Sequence, residues 1–371
     1  MSQDNAPQLI RVLVIDDSRT ARELLVAMLE SAGGLQVVGV GETGEDAVRL
    51  ARRIRPDIIA MDIIMPEMDG LEATRAIMRE VPTPIVLLTS TLMYSDVNLT
   101  FEAMRMGALA VVNKPPIGDD AAWETVMQTM RLMAKVAVVR RWDPEAHKSA
   151  ADSPPKKAPL PDQMSKAGTR PNAQIIGIGS STGGPAALAT ILGPLPADFA
   201  LPLLIVQHIT KGFGPGLAEW LNTQTALRVT LAGHGDTPQP GSALMAPDDC
   251  HLQINAWGVV ELSKEPPYRG LRPSINYLFK SIANVYGPRG IGIQLTGMGD
   301  DGAEGLEKLR RQGGWVIAQD EKTCVVNSMP HEVIVRKAAN EILAPPQIAQ
   351  RLQTLGQVAR ATTKKQEVKH G

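Results

Sequence analysis

The chain has 371 residues, more than one ordinary domain, and 44% of them are hydrophobic, enough for sizeable cores. Its 38 basic and 39 acidic residues leave a formal net charge of −1, so there is no basic surplus to favour a nucleic-acid or anionic-membrane partner. Two cysteines are too few for a disulfide framework, MSQDNAPQLIRVLVIDD does not read as a signal peptide, and apolar runs such as Leu201 to Val206 are too short to cross a bilayer; the expectation is a cytoplasmic protein with no membrane insertion.

In chain order, Leu9 to Ile15, Leu35 to Val40, Asp57 to Ala60, Ile85 to Leu88 and Leu109 to Val112 read as five buried strands. Amphipathic stretches lie between them, such as Thr20 to Ser31 with Leu24, Leu25, Met28 and Leu29 on one face, and a last helix from about Ala121 to Val139 closes the unit. Strands alternating with helices predict a doubly wound α/β domain: a five-stranded parallel sheet with helices on both faces.

Ligands of such sheets sit beyond the carboxyl ends of the strands. Asp16 and Asp17 end the first strand, Asp62 the third and Thr89 the fourth, and Lys114 follows the fifth. Any one of these alone reads as a solvated strand-end residue. Together they make a pocket where converging carboxylates need a cation, and oxygen-only ligands suit Mg2+. Asp62 could then carry a phosphoryl group, with Lys114 neutralising its oxygens and Thr89 responding to it. IDDS, MDIIMPEMDG, LLTS and NKPP resemble the receiver domain of two-component response regulators, over residues 9–139. The resemblance implies that a histidine kinase phosphorylates Asp62, with Asp16, Asp17 and Asp62 at the metal and Thr89 and Lys114 as the switch pair. Val111 stands where many receivers carry an aromatic switch residue.

Residues 140–173 change character. Pro144, Pro154, Pro155, Pro159, Pro161 and Pro171, among scattered Lys, Ser and Ala, read as a semi-extended linker.

The alternation then restarts. Gln174 to Ile178, a glycine turn, a helix and Leu201 to Val206 are followed by expected strands at Ala243 to Met245, Val259 to Leu262, Ile291 to Thr296 and Trp315 to Gln319. Asn255 to Gly258 reads as a hairpin turn, which predicts an antiparallel edge on a larger, mainly parallel sheet. This second doubly wound domain is assigned residues 174–350, and 351–371 a C-terminal tail that is polar from Thr362.

Gly179-Ser180-Ser181-Thr182-Gly183 has the G-x-S-x-G spacing, in which small residues let a strained turn lift Ser181 clear of the sheet. The helix that follows points free backbone N–H groups at the same place, and one oxyanion donor is worth about 10²–10³ in rate. Ser180 is one residue out of register. A dinucleotide-binding glycine turn is the rival reading, but it wants an acidic residue at the end of the next strand, where LPLLIVQH has Gln207 and His208. His208 suits a general base. His234, His251 and His331 lie away from the strand ends beside the turn. Asp300 and Asp301 follow the strand ending at Thr296, and their spacing alone does not choose which would orient the imidazole.

GSSTGG, QH after an apolar strand, RPSINYLF and TGMGDDGAEGL resemble the catalytic domain of chemotaxis methylesterases. The resemblance implies Ser181 as nucleophile, His208 as base and Asp301 as orienting acid. It places the backbone N–H groups of Thr182 and Met298 in the oxyanion hole and needs no cofactor at this site. Its implied partners are a chemotaxis histidine kinase and methyl-accepting chemoreceptors. The implied reaction is hydrolysis of receptor glutamate γ-methyl esters, with glutamine deamidation by the same triad, under control of a receiver that covers the hydrolase until phosphorylated. The alternative class is a non-catalytic, receiver-linked signalling adaptor. Asp248, Asp249, Cys250 and His251 carry ligand-type groups but read as a loop, Cys324 reads as packed, and Arg272 suits either a receptor contact or a structural salt bridge.

Overall fold

Five apolar runs of the first half form β1 (Ile10–Ile15), β2 (Leu35–Gly41), β3 (Ile58–Asp62), β4 (Ile85–Thr89) and β5 (Ala110–Asn113) in this computed structural model. It describes residues 9–89, 102–104, 106–116, 118–136 and 172–370. The chain divides into two compact units, Met1–Lys157 and Ala158–Gly371. The strand order in the first is β2-β1-β3-β4-β5, with every pair parallel. β3 and β4 are buried along their whole length, so their sequences run apolar without alternating.

The helices start where small polar side chains take up free N–H groups. Ser18, Thr43, Asp69 and Asp119 cap α1 (Arg19–Ser31), α2 (Gly44–Ile54), α3 (Gly70–Glu80) and α4 (Asp120–Met133) respectively. Leu13, Ile15, Ile59, Met61 and Leu87 pack with Ala47, Leu50 and Ile77 in the core. The strand order reverses between β1 and β3, which opens the crevice that Asp16 and Asp62 flank.

In the second unit the strands are β6 (Ile175–Ser180), β7 (Leu203–Gln207), β8 (Arg228–Leu231), β9 (Ser242–Met245), β10 (His251–Ile254), β11 (Val260–Ser263), β12 (Gly290–Gln294), β13 (Trp315–Gln319) and β14 (Glu341–Leu343). Seven of them make one parallel sheet, ordered β14-β13-β12-β6-β7-β9-β8. The helices are α5 (Gly184–Leu192), α6 (Gly214–Gln224), α7 (Ile275–Tyr286), α8 (Ala303–Arg311), α9 (Ser328–Val335) and α10 (Pro345–His370).

α7 lies close against β6 because the strand offers glycines there. A Cβ at Gly179 would come within 2.3 Å of Ile275 Cγ2, and one at Gly177 within 2.6 Å of Ile282 Cδ1. The glycine pattern that resembled a dinucleotide turn is thus taken up by helix–sheet packing.

Several expectations are corrected. The antiparallel pairing around Asn255 to Gly258 forms, but β10 and β11 make a separate two-stranded sheet instead of an edge of the main one. β8 and β14, both at sheet edges, had no counterpart among the expected strands; they are 4 and 3 residues long and too short for a clear period. Residues 351–361, assigned to a tail, lie within α10, where Ile348, Leu352, Leu355 and Ala359 are buried at helical spacing and Arg351 pairs with Glu341 at 3.0 Å. The proline-rich segment from 140 to 171 lies outside the described residues.

Candidate functional site

In the first unit, the sheet ends bring three carboxylates together. One oxygen from each of Asp16, Asp17 and Asp62 lies within 4.8 Å of the others. Asp16 and Asp62 are buried and Asp17 is exposed. Lys114 Nζ reaches both Asp16 Oδ2 and Asp62 Oδ2 at 2.7 Å. Burial pushes the Asp62 carboxyl above the usual carboxylate range, against the pull of Lys114. Burial also works to lower Lys114, but hydrogen bonds to Asp16 and Asp62 outweigh it and hold the ammonium above its ordinary value. Three carboxylates facing one ammonium leave negative charge over, and an all-oxygen set of this kind fits a hard divalent cation. Thr89 is buried at the end of β4, and its carbonyl accepts from Lys114 N–H at 2.8 Å. Val111 is buried on β5.

In the second unit, β6 has β7 on one side and β12 on the other, with Ser180 opposite Gln207 and Gly179 opposite Gln294. The segments after these strands therefore leave the sheet side by side, at the point where the strand order reverses. They carry Ser181, His208 and the Gly297–Asp301 turn. Ser181 N–H donates to Thr296 O at 3.0 Å, and Gly184 N–H to Ser181 O at 2.8 Å. Gly183 holds φ at +79°, where a Cβ would stand 2.5 Å from Val325 Cγ2, so the turn after the serine needs glycine. A Cβ at Gly297 would stand 2.7 Å from Ser181 Cβ, which sets the Met298 turn directly against the serine. Among the described residues, nothing accepts a hydrogen bond from the backbone N–H of Thr182 or Met298.

The imidazole is met by Asp301, with His208 Nε2 3.0 Å from Asp301 Oδ2. Asp301 is only 2% exposed. Ile275 N–H donates to its Oδ2 at 2.7 Å, and Asn276 N–H and the Ser274 hydroxyl donate to its Oδ1 at 3.1 and 2.8 Å. The carboxylate thereby caps the first turn of α7, where the helix dipole favours negative charge. Burial alone would raise its carboxyl, but His208 and these donors outweigh it and hold it below the usual carboxylate range. Asp300 points elsewhere and pairs with Arg269. The amino terminus of α7 thus holds Asp301, and not Asp300, against the His208 ring.

Gln207 is a buried hub that sequence reasoning passed over. Its Oε1 accepts from the Ser180 hydroxyl at 2.6 Å, and its Nε2 donates to Ser181 O at 2.8 Å and His208 O at 2.7 Å. Ser328 was also missed. Its hydroxyl accepts from Gly299 N–H and donates to Gly297 O, both at 3.0 Å, and so braces the Met298 turn from α9. A glutamine at a strand end and a serine at a helix start carry no local signal for either task.

The remaining candidates resolve structurally. Arg272 pairs with Asp249 at 2.6 Å, Asp248 accepts from Gly212 N–H at 2.6 Å, and His251 is fully buried. His234 Nδ1 accepts from Leu262 N–H at 3.3 Å, and His331 pairs with Glu321 at 2.6 Å. Burial pushes the Cys324 thiol up to about 12, far from a nucleophile's range. No helix among the described residues is long and apolar enough to cross a membrane.

Comparison with known proteins gives two family matches, CheB methylesterase over residues 176–352 and response regulator receiver domain over residues 12–121. The chain is 45% identical over 348 residues to protein-glutamate methylesterase/protein-glutamine glutaminase 4 of Myxococcus xanthus (strain DK1622), covering 92% of this chain and 96% of that one. It is 42% identical over 355 residues to protein-glutamate methylesterase/protein-glutamine glutaminase 1 of Syntrophus aciditrophicus (strain SB), covering 95% and 100%. The crystal structure of the Thermotoga maritima CheB methylesterase catalytic domain is 39% identical, with a TM-score of 0.47 over 48% of this chain and 97% of that one.

Proposed function

The chain belongs to the protein-glutamate methylesterase/protein-glutamine glutaminase family, and on that premise we propose that Ser181, His208 and Asp301 hydrolyse glutamate γ-methyl esters on chemoreceptors. The observation that carries the assignment is the Asp301 carboxylate on His208 Nε2 at 3.0 Å, at the strand ends beside Ser181. With Nε2 engaged by Asp301, Nδ1 is the nitrogen that takes the Ser181 proton. The Ser181 oxygen attacks the ester carbonyl, and the N–H groups of Thr182 and Met298 receive the oxyanion. The intermediate collapses as His208 returns the proton to the leaving methoxide, releasing methanol. Water, deprotonated by His208, then attacks the acyl-enzyme and frees the glutamate carboxylate and Ser181. A glutamine side chain follows the same path with ammonia as leaving group, so the site serves deamidation as well.

Asp62 is assigned as the phosphoacceptor for a chemotaxis histidine kinase. Asp16, Asp17 and Asp62 would hold Mg2+, which neutralises charge on phosphoryl oxygens when bound. Lys114 takes part of the same charge, and the Thr89 hydroxyl answers to the new group. Phosphorylation then shifts the population toward the form in which the hydrolase is open to receptor. The same reading assigns this activity to the cytoplasm.

The test is methanol release from membranes carrying the cognate methylated receptors, with ammonia release from glutamine-bearing receptors alongside. Methanol release is expected from the full chain. Folded protein that binds these receptors and releases neither product would sink the hydrolase reading in favour of a signalling adaptor.

The brace on the Met298 turn makes a narrower prediction. Ser328→Ala removes both of its hydrogen bonds to the turn and is expected to lower kcat roughly tenfold, with KM for receptor little changed, because the oxyanion is bound only in the transition state. A fall in receptor affinity at constant kcat would contradict it.

A further inference from the structure

α7 starts in an unusual way. Ser274 is its N-cap, yet the Ser274 side chain makes no cap hydrogen bond to the helix. The N–H groups of Ile275 and Asn276 go to Asp301, and the Ser274 hydroxyl donates to Asp301 as well. In a capping box, the side chain at the third helical position would reach back to the N-cap N–H. Here that position is Tyr277, which has no carboxylate or amide to offer. The Ser274 N–H donates instead to Nδ1 of His251, at 3.1 Å, from the first residue of β10.

His251 is 0% exposed, and its ring stacks on that same Tyr277, with centroids 3.8 Å apart. Its Nε2 lies 3.3 Å from Pro266 O. A carbonyl can only accept and a backbone N–H can only donate, so the two partners together select the neutral tautomer with its proton on Nε2. Burial favours the same neutral form, against the pull of the Pro266 and Glu265 carbonyls. An imidazolium would leave the Ser274 N–H facing another donor.

We propose that His251 is a positioning residue for the hydrolysis: it completes the cap of α7 in place of a capping-box side chain and so holds the three donors that aim Asp301 at His208. This rests on the triad assigned above. The path runs from His251 through Ser274 to Asp301 and His208, with no contact between His251 and substrate required. Displacing the cap would let the carboxylate drift, and small displacements of a catalytic group cost up to about 10²-fold in rate.

Two substitutions separate positioning from bulk stability. In His251→Asn, the amide oxygen occupies roughly the place of Nδ1 and can accept from Ser274 N–H; in His251→Gln, the amide sits nearer the place of Nε2 and cannot. In folded full-length protein acting on methylated receptor membranes, His251→Gln is expected to lower kcat ten- to a hundredfold with receptor KM within about twofold, and His251→Asn to restore kcat to within a few-fold. Imidazole 15N shifts of the wild-type chain, assigned by the signal lost in His251→Asn, should report the neutral Nε2–H tautomer at neutral pH.

Wild-type kcat in folded His251→Gln would overturn the proposal, as would an Nδ1–H tautomer or an imidazolium in the wild type. If His251→Gln does not fold, the tautomer and the His251→Asn rate decide. Ser181→Ala, run alongside, keeps the two readings apart: full activity in that variant refutes the triad itself, whereas loss there with no effect of His251→Gln refutes only the role of His251.

Discussion

Ser181→Ala is expected to cut methanol release from methylated receptors by at least about 10⁴-fold while receptor binding and phosphorylation of Asp62 persist. Alanine keeps the Cβ that packs against Gly297 and the backbone bonds to Thr296 and Gly184, so the turn keeps its shape. What disappears is the oxygen assigned to form the acyl-enzyme. The residual rate would come from the oxyanion donors and from binding, which together still leave catalysis well above that of water. Ser180→Ala is the matched control. The Ser180 hydroxyl is fully buried and donates to Gln207, so its loss is expected to cost about 1–2 kcal/mol of stability and less than tenfold in rate. Equal losses in the two variants would count against Ser181 as nucleophile, and a large loss only in Ser180→Ala would move the assignment by one residue.

The contrast between these serines marks what sequence can and cannot say. The glycine spacing singles out Ser181 because a tight turn needs small residues at fixed offsets, a local requirement. The central strands of the two parallel sheets were legible for a similar reason, unlike the short edge strands β8 and β14: a strand buried on both faces needs an unbroken apolar run, and β3, β4, β6 and β7 each have one. The choice between Asp300 and Asp301 was not local. It depends on the first turn of α7, some 25 residues earlier in the chain, whose two N–H groups close on one carboxylate and not its neighbour. Gln207 likewise looked informative only as the absence of an acid, while its three hydrogen bonds join the two strand ends that carry Ser181 and His208. α10 was misjudged because its buried stripe of Ile348, Leu352, Leu355 and Ala359 is thin and set among polar residues. Composition alone therefore resembled a tail.

Asp62→Asn is expected to abolish phosphoryl uptake from a small phosphodonor and, with it, any rise in methanol release. The wild-type chain should respond to the same donor in the presence of Mg2+, and a chelator should suppress that response. An amide has no oxygen anion to attack phosphorus, and Asp16, the other buried carboxylate of the pocket, is only 1% exposed. Phosphorylation places about two negative charges where Lys114 already serves two carboxylates at 2.7 Å, so the ammonium must be shared anew. That redistribution is the local event available to bias the receiver. A tenfold activation requires the phosphorylated receiver to favour the open form by about 1.4 kcal/mol, no more than one charge-assisted hydrogen bond provides. Basal hydrolysis in Asp62→Asn should match the unphosphorylated wild type, because Asp62 lies in a different unit from the triad. A wild-type rate that ignores the phosphodonor, although Asp62 demonstrably carries phosphate, would separate the chemistry of the pocket from control of the hydrolase and leave only the former standing.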